Sequence, residues 1–181
     1  MNVKQRAAFI SEIAKLDENI GKTGMMKILY LLQAICHVPL GYDFEIYTYG
    51  PYCQTVMNDI EYAEFVGYIK VAQAAYPNGM NGYQISTQPP AANLLKEESN
   101  LIGEYSTAIS NIITFFGHKK AKELELYSTI VFVATSFSDN NWKKSKEEIC
   151  NTVRKIKPHF SQEIIFDTYD DLVKNHFIED K

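Results

Sequence analysis

Apolar residues recur at helical spacing over most of this chain. Residues 3–16 have one apolar stripe with polar residues around it, which predicts an amphipathic helix. Residues 24–37 are apolar on nearly every side, so the sequence predicts a buried helix at the centre of the core. We expect Thr23 to cap this second helix. A third helix is predicted over residues 52–65, with Gly67 as its C-terminal stop.

An aromatic segment, residues 41–52, lies between the second and third predicted helices. Its side chains alternate in character from residue 44 to residue 49, which is the period of a short extended segment. Gly50-Pro51 is expected to end that segment, because proline fixes φ and suits the first turn of a following helix. The tyrosines of the segment are Tyr42, Tyr47, Tyr49 and Tyr52.

Two strand-like segments follow, residues 68–71 and 83–86, with turn-forming residues between them. Three helices followed by a hairpin is the element order of a winged helix. The sequence therefore predicts a winged-helix-like module with a β-hairpin wing over residues 1–90. Residues 91–181 are predicted to form a helical part packed on it, unless both belong to one continuous domain. The expected fold class is mainly α (α+β).

Helical spacing continues through the C-terminal part. It predicts a long helix over residues 91–116 and further helices over residues 119–137 and 143–157. Residues 129–133 are rich in β-branched side chains, which would also suit a strand, but the surrounding period favours a helix. Ser161 is expected to cap the last helix.

Composition narrows the class of protein. The chain has 181 residues and is 46% hydrophobic, which is enough for a well-buried core. Its formal net charge of -4 argues against a nucleic-acid-binding protein, because such proteins are usually basic. Apolar runs are shorter than a membrane span, so a cytoplasmic protein is expected. The 3 cysteines are widely spaced, which favours reduced thiols over a disulfide framework.

The third predicted helix is acidic. In a winged helix this element would enter the major groove, yet it contains Asp59, Glu61 and Glu64 and no Lys or Arg. Carboxylates near phosphates reduce affinity, so the sequence argues against DNA binding by this helix. Positive charge lies instead in the C-terminal helices. The nucleic-acid candidates there are Lys119, Lys120, Lys143, Lys144 and Lys155, although a solvated helix face is the more common reading of such a set.

Signals for catalysis or metal binding are weak. Asp43 and Glu45 could present two carboxylates on one side of an extended segment, as in metal-dependent hydrolases. A solvated strand edge is the simpler interpretation. The cysteines and histidines lack the close spacing of a metal site. We therefore expect no metal and no other cofactor.

Several segments together carry a family resemblance. They are Lys22-Thr23, residues 26–32, residues 41–44, residues 47–52, Glu125-Leu126 and residues 157–161. Their order resembles the uncharacterised YwgA-like proteins of bacteria and archaea over most of the chain. The first half is more distantly similar to the SocA-like, or Panacea, antitoxin domain. Cys53 departs from that pattern, which has a small serine there.

The resemblance implies a regulatory protein without a known catalytic set. We therefore expect a protein partner bound in an antitoxin-like manner, with a homodimer left open. An alternative is a transcription regulator that binds DNA, and a more remote one is a hydrolase using Asp43 and Glu45. The tyrosines could also close a groove within the chain itself. The predicted partner-binding residues are Tyr42, Asp43, Tyr47, Tyr49, Tyr52, Asp59 and Glu61.

Overall fold

Helices make up most of the protein, as the apolar spacing predicts. The structure, a computed structural model, describes residues 1–75, 81–140 and 145–179. The elements of these ranges, in chain order, are α1 (Val3–Leu16), α2 (Lys22–Cys36), β1 (Glu45–Tyr47), β2 (Gly50–Tyr52), α3 (Gln54–Phe65), β3 (Ile69–Ala75), β4 (Asn81–Thr87), α4 (Pro90–Glu97), α5 (Ser99–Glu104), α6 (Ser106–Phe116), α7 (Ala121–Asp139), α8 (Lys146–Ile156) and α9 (Gln162–Lys174). The predicted mainly α (α+β) class is confirmed.

The central helix α2 is buried along its middle, from Met25 to Leu32. It begins at Lys22, with Gly21 in the capping position, so the expected cap at Thr23 is wrong by two residues. Lys27 is buried with its apolar neighbours and is 2% exposed. A lysine in this position needs hydrogen-bonding partners inside the protein, because burying an unpaired ammonium is costly.

The aromatic segment forms a hairpin and not a single extended stretch. β1 and β2 pair antiparallel, with Tyr47 opposite Gly50 and Ile46 opposite Pro51. Gly50 has a φ of 88°, a left-handed conformation that glycine adopts without strain and that turns the chain back. The expectation that Pro51 starts the third helix is therefore wrong, since Pro51 lies in β2 and α3 begins at Gln54.

The hairpin predicted from residues 68–71 and 83–86 is present and longer than expected. β3 and β4 pair antiparallel from Ile69 opposite Thr87 to Ala75 opposite Asn81. The backbone N–H of Ile85 also donates to the carbonyl of Ile20, so this hairpin is tied to the loop before α2. Most of the predicted turn, residues 77–82, lies outside the described residues.

The long helix predicted over residues 91–116 is wrong, because three shorter helices take its place. The breaks fall at Glu98 and Tyr105, which both leave helical dihedrals. Each of α4, α5 and α6 contacts α1. The two bends therefore keep all three short helices packed against α1. At the second break the Tyr105 ring packs 5.9 Å from the ring of Phe9 on α1.

The apolar core runs through both predicted halves of the chain. α2 and β2 contact α7, and α2 also contacts α6. α7 is helical throughout, so the strand interpretation of residues 129–133 is excluded. The contact between β2 and α7 places the hairpin of the first half directly on a helix of the second half.

Candidate functional site

The tip of the β1–β2 hairpin presents two tyrosine rings to solvent. Tyr47 and Tyr49 are each 68% exposed. Tyr52 is half-buried, and its ring centroid lies 5.8 Å from that of Tyr47. We call residues 45–52 the tyrosine hairpin. Three of the four predicted tyrosines thus lie on one short element.

Two buried lysines hold the backbone of the tyrosine hairpin. Lys157, just after α8, donates from Nζ to the carbonyl oxygen of Tyr47 at 2.9 Å and to that of Thr48. Lys27 of α2 donates from Nζ to the carbonyl oxygen of Pro51 at 2.6 Å. Each lysine is 2% exposed. Charge-assisted hydrogen bonds of this kind fix the hairpin from two separate parts of the chain, α2 and the residue that follows α8.

Glu125 of α7 supplies the negative charge beside these lysines. Its Oε1 lies 3.0 Å from Lys157 Nζ, and the side chain is 7% exposed. His159 Nε2 lies 3.5 Å from the same oxygen, at the outer side of the pair. We call Lys27, Glu125 and Lys157 the charged cluster. It contains two ammonium groups and one carboxylate.

Gly50 allows the hairpin to approach α7 closely. A Cβ atom at this position would lie 3.2 Å from Ser128 Oγ and from Thr129 Oγ1, and 3.3 Å from the carbonyl oxygen of Glu125. Both hydroxyls donate to that carbonyl, Thr129 at 2.7 Å and Ser128 at 3.2 Å. The absence of a side chain on Gly50 therefore permits the contact that brings the hairpin over Glu125.

Burial and, after it, the nearby charge of Lys157 together lower the pKa of Lys27 to about 8, although the charge of Glu125 opposes the shift. The ordinary value is 10.5, so between these two values the unfolded chain holds a proton that the folded protein has released. When the unfolded state binds more protons, stability rises with pH. The contribution of Lys27 is thus present above pH 10.5 and is lost as the pH falls through about 8.

We predict that this titration is measurable by comparison with Lys27→Met. From pH 8 to pH 10 the free energy of unfolding of the native protein should rise by about 2 kcal/mol relative to the variant. Denaturant unfolding at several pH values measures this difference. Lys155→Met, at an exposed lysine, is the control and should parallel the native protein. Parallel curves for Lys27→Met and the native protein would contradict the prediction.

A cavity of about 650 Å³ opens between the tyrosine hairpin and the C-terminal helices. Its wall contains Glu125 and Lys157 of the charged cluster, together with apolar and aromatic side chains. The lining residues are Ile46, Tyr47, Thr48, Tyr49, Glu125, Ile156, Lys157 and His159. An apolar cavity with a few fixed polar groups has the composition of a ligand-binding site.

Tyr42 and Asp59 require a correction, because the structure places both inside the protein. They are 5% and 3% exposed. The Tyr42 hydroxyl donates to Asp59 Oδ2 at 2.9 Å, and Arg6 of α1 donates to both carboxylate oxygens of Asp59. Burial and the Asp59 charge raise the pKa of Tyr42. These residues join α1, α3 and the segment before β1, and in this structure they form no part of an accessible surface.

The remaining acidic candidates are exposed. Asp43 and Glu45 lie near the start of the tyrosine hairpin, and Glu61 lies on the outer face of α3. Over the described ranges, the acidic, histidine and cysteine side chains form no group of three that could hold a metal ion. A chemical role for Asp43 and Glu45 stays a prediction.

The basic candidates are divided between free and engaged positions. Lys119 Nζ lies 4.4 Å from the ring centroids of both Phe115 and Tyr127, so its charge rests on aromatic faces of the same chain. Lys120 and Lys155 are exposed. Lys143 and Lys144 lie outside the described residues. Nucleic-acid binding by this set stays a prediction.

Sequence reasoning missed the charged cluster as a site. Lys27 stands in an otherwise apolar helix, and Glu125 stands between Leu124 and Leu126. A charged residue at a core position is the signal that could have found both, since such residues are rarely buried without partners. Lys157 gave no such signal, because it follows a short amphipathic helix with charged neighbours.

Comparison with known proteins adds no family to these observations. No protein-family model matches the chain, and no curated protein is significantly similar to it. The likeness to the YwgA-like and SocA-like families therefore stays an expectation. Across the part of the chain that the structure describes, no helix is both long and apolar enough to cross a bilayer.

Proposed function

We propose that this protein is a non-catalytic regulatory protein that binds a protein partner through the tyrosine hairpin, in an antitoxin-like manner. The observation that carries the proposal is the exposure of Tyr47 and Tyr49, each 68% accessible, on a backbone that two buried lysines hold. Tyrosines are enriched at the centres of protein interfaces because they bring large contact area with few rotatable bonds.

The anchoring of the hairpin supports this role on energetic grounds. Binding through a mobile loop loses free energy to the ordering of that loop. Here Lys157 already fixes the carbonyls of Tyr47 and Thr48, so the tip is ordered before a partner arrives. A preorganised aromatic tip beside a cavity can bind without that loss.

The test is affinity capture from cells of the source organism with the tagged protein as bait. We expect a partner that the native protein retains and that Tyr47→Ala/Tyr49→Ala loses by at least about 30-fold in affinity, since truncating one central interface tyrosine costs about 2 kcal/mol. The retained partner is then purified and its dissociation constant is measured by calorimetry against both proteins.

The matched control is Phe65→Ala. Phe65 is 91% exposed at the end of α3 and lies outside the tyrosine hairpin. A partner bound by the hairpin should be retained by this variant with unchanged affinity. If Phe65→Ala and the double tyrosine variant behave alike, or if no protein is retained by the native bait, the proposal is wrong.

A further inference from the structure

The cavity beside the tyrosine hairpin contains a buried carboxylate oxygen with an unused acceptor. Glu125 is 5% exposed and lines the cavity. Among the described residues, none donates a directed hydrogen bond to its Oε1, although Lys157 Nζ lies 3.0 Å away as an ion pair. Lys157 donates two of its three ammonium hydrogens to the carbonyls of Tyr47 and Thr48. A buried acceptor of this kind is stabilised by a ligand that offers an N–H or O–H.

The charges around this oxygen select against charged ligands. A cationic group would approach Lys157 at the cavity wall and Lys27 behind the hairpin, and like charges at close range repel strongly in a partly buried site. An anionic group would face the Glu125 carboxylate, and two of the three ammonium hydrogens of Lys157 are already donated to the carbonyls of Tyr47 and Thr48. A neutral hydrogen-bond donor is repelled neither by the lysines nor by the Glu125 carboxylate.

The other lining groups define the rest of the ligand. His159 stands at the mouth and offers a ring nitrogen to a second polar atom. Ile46, Ile156 and the two tyrosine rings supply apolar surface for an aliphatic stem. A carboxamide has an NH2 donor and a carbonyl acceptor without net charge. Its NH2 would donate to Glu125 Oε1 and its carbonyl would accept from the imidazole.

We propose that this cavity binds the side-chain carboxamide of an Asn or Gln residue of the protein partner. The inference rests on the proposed function and adds to it the chemical class that the site recognises. A volume of about 650 Å³ accommodates that side chain together with a part of the peptide on either side of it.

The test uses four blocked amino acids as probes, so that no variant of the charged cluster is needed. They are the N-acetyl methylamides of Gln, Glu, Lys and Met. Each is titrated into the isotopically labelled full chain while the backbone amide signals of Thr48, Tyr49 and Gly50 are followed by NMR. We expect the Gln probe to shift these signals with a half-saturation at least tenfold lower than that of the other three.

Two tryptophan variants show whether the cavity is the site. Ile156→Trp places a large ring at the cavity wall and should abolish the shifts caused by the Gln probe. Ile164→Trp is the matched control, because Ile164 is an exposed isoleucine of α9 that does not line the cavity. It should leave the shifts unchanged. Thermal unfolding of both variants verifies that they fold.

Several outcomes would overturn the inference. Equal binding of the Gln and Met probes would mean that the carboxamide is not recognised. A preference for the Glu or Lys probe, shifts that persist in Ile156→Trp, or no binding by any probe would also refute it. The proposed function has its own test, because a partner lost on tyrosine substitution could be retained by a protein that shows no carboxamide preference.

Discussion

Replacing Glu125 with alanine is expected to lower the free energy of unfolding by about 3–5 kcal/mol. The carboxylate is the ion-pair partner of Lys157, which is 2% exposed, and it opposes the lowering of the Lys27 pKa. Without it, two ammonium groups remain in the protein interior with no opposite charge beside them. Urea denaturation followed by circular dichroism at pH 7 measures the loss.

A double variant distinguishes the loss of an ion pair from a loss of packing. Glu125→Met/Lys157→Met removes both charges and keeps side chains of similar length. Lys157→Met also removes the hydrogen bonds to the carbonyls of Tyr47 and Thr48, so the two single variants are measured beside the double one. Because the ion pair couples the two positions, the double variant should lose at least about 1 kcal/mol less than the sum of the losses in Glu125→Met and Lys157→Met. If the two losses simply add, the ion pair is not what stabilises this region.

Replacing Asp59 with alanine is expected to cost about 2–4 kcal/mol of unfolding free energy. Asp59 accepts hydrogen bonds from Arg6 Nε at 2.6 Å and from the Tyr42 hydroxyl at 2.9 Å, and it is itself buried. Its removal leaves a phenol and a guanidinium without their shared acceptor. The guanidinium is partly exposed, with 15% of its side-chain surface accessible, which places the cost below that of a fully buried pair.

Glu61→Ala is the control for this second prediction. Glu61 is an exposed carboxylate on the same helix, two residues away, so its loss should change stability by no more than about 0.5 kcal/mol. Thermal and chemical denaturation of the two variants are compared under the same conditions. Equal effects of Asp59→Ala and Glu61→Ala would show that the Arg6–Asp59–Tyr42 contacts contribute little.

Local patterns predicted the helices well because each depends on its own period and caps. Asn2, Ser145 and Ser161 accept hydrogen bonds from backbone N–H groups at the starts of α1, α8 and α9, and the cap at Ser161 was expected. The breaks at Glu98 and Tyr105 were not predicted, because no local stop signal marks them. They occur where the segment packs along α1, and that contact cannot be predicted from local sequence. The hairpin at Gly50 was not predicted for a different reason. Proline is frequent as the first residue of a helix, so the sequence predicts a helix start at Pro51 although it lies in β2.

The residues of the candidate site also include some that local sequence identifies and some that only long-range contacts place. Tyr47 and Tyr49 could be identified from the aromatic segment alone, and their exposure fits a binding surface. Tyr42 and Asp59 carry the same residue types but are buried, because Arg6 comes from another helix to meet them. Lys157 and Tyr47 are 110 residues apart in the sequence. The spacing of apolar and polar residues within one helix cannot predict a hydrogen bond over that separation.

Residues from the last third of the chain complete an element that lies in its first third. A gene fragment that encodes only residues 1–90 would produce the tyrosines without Glu125 and Lys157. A comparison of homologues should therefore treat a change at Lys157, just after α8, as a change to the tyrosine hairpin.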